Sequence, residues 1–147
     1  MKRWTFVVVA VMLFLLVACG SGGTVSVASA WGRVSPMNAE NGAFYMQLVN
    51  EGDEDDALVS ATAELCGTVE LHESYMAEDG TMAMRPVEGG KVPVPAGETV
   101  ELKVGGLHVM CLGVGEGFAV GQTVPVTLEF EKAGTIAVDV EIREDAP

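Results

Sequence analysis

Residues 99–112, TVELKVGGLHVMCL, contain two short segments of alternating apolar and polar residues, separated by Gly105-Gly106. Residues two apart on a strand share a face of the sheet, so this pattern predicts two strands, Thr99 to Val104 and Leu107 to Leu112, joined by a turn. Similar short segments recur along the chain and none has a helical stripe of apolar residues. We therefore expect a single all-β domain, built as a sandwich.

The remaining strands are predicted on both sides of this hairpin. They are Phe44 to Val49, Thr68 to His72, Thr81 to Val87, Val124 to Glu131 and Thr135 to Ile142. Asp79-Gly80 is typical of a hairpin turn. Val92-Pro93-Val94-Pro95 is typical of a sheet edge, because proline cannot donate a ladder hydrogen bond. The acidic run from Glu51 to Asp56 is expected to be an exposed loop between strands.

Residues 1–18 are predicted to be a lipoprotein signal peptide. A positive start is followed by an apolar run that is shorter than the roughly 20 residues of a membrane span. The run ends in Leu16-Val17-Ala18-Cys19, a lipobox in which Cys19 carries the lipid after cleavage. We assign residues 19–29 to the lipidated cysteine and a flexible tether, and residues 30–147 to the folded domain. An uncleaved anchor and an ordinary secretory signal are the alternatives.

The charge of the chain restricts its partners. The formal net charge is −13, from 21 acidic and 8 basic residues. Nucleic acid is excluded as a partner, because phosphate binding requires a basic surface. The signal predicts an extracytoplasmic protein, held by its lipid at the bacterial membrane, in the periplasm or on the outer cell surface.

Both histidines lie in methionine-rich segments, His72 in HESYMAEDGTMAM and His108 in GGLHVMC. On alternating strands His108 and Met110 share a face, and a hairpin closed near Asp79-Gly80 brings His72 and Met84 roughly opposite one another. Neutral imidazole and thioether groups form a soft ligand set that suits Cu(I), whereas zinc more often recruits thiolates or carboxylates. The pattern indicates copper handling outside the reducing cytoplasm.

The same residue types also occur in proteins that bind no metal. A methionine on a strand is often a core filler, which we expect for Met46, and an isolated histidine often binds no metal. Cys66 and Cys111 favour a disulfide or buried thiols in an extracytoplasmic domain. Thiols that serve as extra ligands or reductants for copper are the alternative, although Cys111 faces away from Met110 on the predicted strand. Two rival functions remain open: a metal-free adhesion or assembly module on the cell surface, and a thiol–disulfide protein that uses the two cysteines. No motif of an enzyme is present, and we expect no catalysis.

The mature chain resembles the PCuAC-type periplasmic copper chaperones. The resemblance runs from Ala30-Trp31-Gly32-Arg33 to the final strand. It rests on AFYMQLVN, VELHESYMAEDGTMAMRPV, VPVPAGETVELKVGGLHVMCLGV and GQTVPVTLEFEKAGTIAVDVEI. It implies a cupredoxin-like β-sandwich of the Greek-key type that binds Cu(I) through two histidines and two methionines. It also implies delivery of copper to a membrane protein, either a cytochrome oxidase subunit or its assembly factor.

Carried over by position, the resemblance assigns His72, Met84, His108 and Met110 as the ligands. Eleven residues separate His72 from Met84, slightly more than in the family pattern, so Met82 competes with Met84 for this role. We assign Met84, which directly precedes Arg85-Pro86, and treat Met82 and Met76 as auxiliary candidates. We expect the protein to act as a monomer.

Overall fold

A computed structural model of the protein describes residues 24–36 and 38–147. The regular structure of this part of the chain is β-strand, apart from a short 3-10 turn at Glu88–Gly90, and the expectation of an all-β single domain is confirmed. The strands are β1 (Val25–Val34), β2 (Asn41–Asn50), β3 (Asp56–Thr62), β4 (Cys66–Met76), β5 (Met82–Pro86), β6 (Val92–Val94), β7 (Thr99–Leu102), β8 (Leu107–Val114), β9 (Thr123–Phe130) and β10 (Gly134–Ile142).

All ten strands belong to one sheet with the order β5-β4-β8-β2-β1-β10-β9-β3-β6, and β7 pairs with β2 beside β8. β1 and β10 run parallel, and the other pairs are antiparallel. Side chains from β2 and β8 share one buried cluster with side chains from β3, β6, β9 and β10. The sheet therefore curls into two layers that enclose a common core, as a sandwich requires.

Alternation along the strands decides which side chains enter this core. In β9, Val124, Val126, Leu128 and Phe130 are buried while the intervening residues are more exposed. In β2, Phe44, Met46 and Leu48 point inward, so Met46 is a core residue. The neighbouring positions of β2 point to the outer face of the same layer, where the candidate site lies.

The sequence predicts no strand before Phe44, and β1 is therefore an additional strand. It starts at Val25, within residues 19–29, which the sequence assigns to the lipidated cysteine and the tether. The strand escapes detection because small residues occupy its middle and a bulge between Ala28 and Trp31 breaks its alternation, with Ser29 at a φ of 52°. The predicted signal peptide and lipidated Cys19 lie outside the described residues. Within the described ranges, no helix is long and apolar enough to cross a membrane.

The acidic run also differs from expectation at its last residue. Asp56 is the first residue of β3 and is buried, whereas the other acidic residues of the run are exposed: Glu51, Asp53, Glu54 and Asp55. The Asp56 carboxylate accepts hydrogen bonds from the backbone N–H groups of Ala57, Lys132 and Ala133 at 2.7, 2.9 and 2.8 Å. Burial raises the pKa of Asp56, but these backbone donors outweigh it and hold the pKa below its ordinary value. A charged Asp56 therefore joins the start of β3 to the β9–β10 turn.

A disulfide joins the two strands that carry the histidines. Cys66 on β4 and Cys111 on β8 are bonded, with their Cα atoms 5.3 Å apart. Cys111 is fully buried in the core and faces away from Met110. The bridge is thus on the core side of the sheet, opposite the candidate site, and takes both thiols out of metal chemistry.

Candidate metal centre

The two histidines are direct neighbours across a strand pair. β4 and β8 are antiparallel, and His72 lies opposite His108 in their register. Leu71, which precedes His72, and Val109, which follows His108, are both buried in the core. Because neighbouring side chains on a strand point to opposite faces, both imidazoles extend from the outer face. Their ring centroids are 5.9 Å apart and the rings meet edge to face at 67°. The two imidazoles are therefore direct neighbours on the outer face of the sheet.

His108 presents one nitrogen to this space. Its Nδ1 lies 3.0 Å from the carbonyl oxygen of Gly106, so in the neutral ring Nδ1–H donates and Nε2 keeps a free lone pair. The glycine turn makes this possible, because Gly105 adopts a φ of +77° and Gly106 N–H bonds Lys103 O. His108 is only 3% exposed, and its Nε2 is buried without a hydrogen-bond partner.

His72 presents the opposite nitrogen. Its Nε2 lies 2.7 Å from Oε2 of Glu70, two residues earlier on the same face of β4. In the neutral ring Nε2–H therefore donates to the carboxylate, and Nδ1 keeps the free lone pair. That Nδ1 is also buried without a partner. Because a buried polar atom without a partner is costly, two such atoms on facing residues make this a candidate ligand-binding site.

Burial also affects the ionisation of His108. Desolvation lowers the pKa of its imidazole, the Gly106 carbonyl raises it, and the nearby His72 lowers it, with a net pKa below the ordinary histidine value. The ring consequently stays neutral, and able to donate its Nε2 lone pair, to lower pH than a free imidazole.

The methionines surround the histidine pair on the same face. Met110 follows His108 by two residues, is only 9% exposed, and lies opposite Glu70. Met84 lies opposite Ser74, whereas His72 lies opposite Pro86, so the expected direct pairing of His72 with Met84 is replaced by a diagonal one. The cause is the five-residue turn from Ala77 to Thr81. It sets a register in which Met84 pairs with Ser74, two residues beyond His72. Diagonal neighbours remain within reach of a long side chain.

The auxiliary candidates lie further along the same hairpin. Met76 and Met82 are paired at its tip, on the face that carries Met84, and are 63% and 53% exposed. Met84 is 52% exposed, but its side chain lines a small cavity together with His108 and Met110. The structure thus brings Met84, rather than Met82, beside His108 and Met110.

The cavity has the size of an ion or a single water molecule. Its volume is about 30 Å³, and Arg33, Ser35, Pro36, Ala43 and Tyr45 complete its lining. Organic ligands usually need pockets of about 300 Å³ or more, so this space is too small for one. The cavity is lined by the His108 imidazole and by the thioethers of Met84 and Met110, and His72 is not among its lining residues. Its size suits a metal ion better than an organic ligand.

Aromatic residues pack beside the His108 imidazole on the outer face of the sheet. Trp31, Ala43 and Tyr45 form a small buried cluster on the outer face, apart from the main core. The Tyr45 ring lies 6.2 Å from the His108 ring and 4.7 Å from the Trp31 ring, and the guanidinium of Arg33 lies 5.9 Å from the Tyr45 centroid. This packing keeps water away from His108 and restricts the orientation of its ring.

The donor set has a definite chemical character. In residues 24–36 and 38–147, no three histidine, cysteine, aspartate or glutamate side chains converge as a metal-binding group. Imidazole nitrogens and thioether sulfurs are the groups that do converge here, and this combination suits soft Cu(I) better than hard Mg²⁺ or Ca²⁺.

Sequence reasoning missed the residues that contact the candidate histidines. Glu70 was detectable, since it precedes His72 by two residues and shares its face in the predicted strand. Trp31, Tyr45 and the Gly106 carbonyl were not, because their approach to His108 depends on pairing between distant strands.

Solved structures with this fold include PCuAC domains. The apo PCuAC domain from PmoF1 aligns with a TM-score of 0.69 and 30% identity, over 85% of this chain and 96% of that domain. The solution structure of CuI-DR1885 from Deinococcus radiodurans aligns with a TM-score of 0.63 and 28% identity, over 87% of this chain and 83% of that one. The cupredoxin-like β-sandwich expected from the sequence is confirmed.

The sequence matches a known protein family. The family model described as "Putative lipoprotein LpqE-like" matches residues 25–142. A relative, "Putative lipoprotein Lxx21020" from Leifsonia xyli subsp. xyli, is 30% identical over 120 residues, which is 82% of this chain and 70% of the relative. The chain is therefore a member of the LpqE-like family with a domain similar to PCuAC domains.

Proposed function

We propose that this protein is an extracytoplasmic copper chaperone that binds Cu(I) through His72, Met84, His108 and Met110. One observation carries the proposal: His72 Nδ1 and His108 Nε2 are buried, lack partners, and belong to residues directly opposite each other. The similarity to CuI-DR1885, a protein described with Cu(I), supports the choice of metal.

The site suits a carrier better than an enzyme. Neutral ligands leave the charge of the site low, so no carboxylate has to be desolvated when the ion enters. Met84 is half-exposed while His108 is buried, which gives an incoming acceptor access to one ligand at a time. Copper can then pass to a partner by stepwise ligand exchange, with no catalytic group required. The copper centre of a cytochrome oxidase, or an assembly factor for that centre, is the acceptor we propose.

The LpqE-like family and the lipobox support a location at the outside of the bacterial membrane. A lipid on Cys19 would hold the domain at the bacterial membrane, with residues from Gly20 to the start of β1 as the tether. Such an anchor would confine the carrier to the surface on which a membrane-bound acceptor exposes its copper site.

A competition titration tests the binding proposal. The purified protein is titrated anaerobically against a chromogenic Cu(I) chelator, beside His108→Ala and beside Asp53→Asn as a control in the exposed acidic loop. Loss of a ligand should weaken binding by more than the roughly 10- to 100-fold typical of residues that only support ligands. Asp53→Asn should bind as the native protein does. Equal affinity of His108→Ala and the native protein would overturn the proposal.

A further inference from the structure

The hairpin of β4 and β5 exposes an unusual set of side chains. Among the described residues, six large hydrophobic side chains are exposed, and four of them belong to this hairpin. Three of those four are Met76, Met82 and Met84, each more than half exposed. Methionine ordinarily fills cores, so three exposed thioethers on one short hairpin are not accounted for by packing.

The three thioethers share one face. Met76 lies opposite Met82 and Ser74 lies opposite Met84, so the alternation of both strands puts all three methionines on the face that carries His72. Residues directly opposite one another have their Cβ atoms about 5 Å apart, which lets two flexible thioethers meet around one ion. The methionines form a row that leads from the hairpin tip to the histidine pair.

The other face of the hairpin has different chemistry. There Arg85 Nε donates to Glu73 Oε1 at 2.8 Å, and the Arg85 guanidinium lies 4.7 Å from the centre of the Tyr75 ring. At the turn, Asp79 Oδ1 accepts hydrogen bonds from the backbone N–H and the hydroxyl of Thr81. These contacts hold the hairpin without using any methionine, so its stability does not account for the exposed thioethers.

We propose that Met76 and Met82 form a second, solvent-exposed Cu(I) site, which receives the ion before it passes through Met84 to the histidines. This inference rests on the proposed function and extends it. Two neutral thioethers bind Cu(I) selectively but more weakly than the buried imidazole set, because they offer fewer donors and leave the ion in contact with water. Acidic residues at the tip, Glu78 and Asp79, add a negative field that attracts the cation.

The test is an anaerobic Cu(I) titration followed by NMR, using the full chain in detergent micelles with methionine methyl groups and histidine imidazoles labelled. Single Met→Leu variants assign the methyl signals. We expect the imidazoles, Met84 and Met110 to shift with the first equivalent of copper. Met76 and Met82 should shift as a second equivalent is added, and should also shift in the His72→Ala/His108→Ala variant. Met46, buried in the core, should not move and serves as an internal control.

The outcomes separate this inference from the proposed function. Imidazole shifts without any shift of Met76 and Met82, up to two equivalents, would overturn the exposed site and leave the buried one standing. Shifts of Met76 and Met82 with silent imidazoles would support the exposed thioether site and contradict the histidine ligands. If none of the signals of His72, His108, Met76 and Met82 shifts, both the exposed site and the histidine site would be overturned. A Met76→Leu/Met82→Leu variant that captures copper from a weak complex as fast as the native protein would contradict the role in entry.

Discussion

Nδ1 of His72 and Nε2 of His108 are buried without partners on two residues that lie directly opposite each other in the β4–β8 pair. The free nitrogen differs between the two rings because their hydrogen bonds differ. Nε2 of His72 is hydrogen-bonded to Glu70, and Nδ1 of His108 is hydrogen-bonded to the Gly106 carbonyl. Both free lone pairs are thereby prepared before any ion arrives. Such support fixes the tautomer and the ring orientation of a metal ligand.

Glu70 should therefore matter although it does not itself bind copper. Glu70→Gln retains the size of the side chain but removes the charge that favours Nε2–H of His72, and we expect about tenfold weaker Cu(I) binding. Nitrogen-15 NMR of the copper-free protein should show a mixture of His72 tautomers in the variant and one tautomer in the native chain. Glu73→Gln, on the opposite face of β4, is the matched control. An unchanged tautomer and unchanged affinity in Glu70→Gln would contradict this role.

Met84 and Met82 should respond differently to the same substitution. Met84 lines the cavity beside His108 and Met110, whereas Met82 is paired with Met76 at the hairpin tip. Met84→Leu removes a thioether while conserving volume, and should weaken the tight site at least about tenfold, as loss of a ligand exceeds loss of a supporting contact. Met82→Leu should leave the affinity of the tight site unchanged. Competition titration distinguishes them, and the reverse order of effects would assign Met82 as the ligand.

Copper affinity should depend on pH through the imidazoles. Burial lowers the pKa of His108, so protons begin to compete with copper at this ring only below the ordinary histidine value of about 6.5. We expect constant affinity from pH 8 to about pH 7 and a decline below about pH 6. In the His72→Ala/His108→Ala variant, residual binding by thioethers should not change over this range, because thioethers carry no proton. A decline that is complete by pH 7 would contradict the neutral, buried state of His108.

Asp56 should control stability rather than copper binding. Its charged carboxylate accepts three backbone hydrogen bonds, so Asp56→Asn leaves an amide facing N–H donors and should cost about 1–3 kcal/mol of unfolding free energy at pH 7. Since the folded pKa lies below the unfolded value, the contribution of Asp56 is present above about pH 4 and is lost as the pH falls through the folded pKa.

Urea unfolding of the native protein and Asp56→Asn at pH 7 and pH 3 measures this contribution. The difference between them should shrink at the lower pH, while the control Asp53→Asn should unfold as the native protein does at pH 7. A difference at pH 7 below about 0.5 kcal/mol, the range of ordinary surface substitutions, would contradict the role of the buried carboxylate.

The strands other than β1 and β3, and the histidine–methionine face, were predictable because they depend on local alternation. Val109 and Leu71 have to enter the core, and this alone puts His108 and His72 on the outer face. The diagonal offset of Met84 was not predictable, because it depends on the length of the turn before β5. β1 was missed for a different reason, since the bulge at Ser29 interrupts the alternation that identifies a strand.

The burial of His108 and Met110 could not be predicted from the sequence either. Alternation predicts only that His108 and Met110 share a face, whereas the structure buries both of them beside a cavity of about 30 Å³ that Tyr45 also lines. That depth depends on the pairing of β8 with β2 and of β2 with β1, which brings Trp31 and Tyr45 together. Pairings between strands so far apart in the chain leave no local pattern in the sequence.

The most direct test of the central claim is X-ray absorption at the copper edge, on protein loaded anaerobically with Cu(I). We predict mixed nitrogen and sulfur scattering from the tightly bound ion in the native chain. In the His72→Ala/His108→Ala variant the nitrogen scattering should disappear and the tight binding with it. Copper surrounded by oxygen, or a native spectrum that the double substitution leaves unchanged, would contradict the assignment of His72 and His108 as ligands.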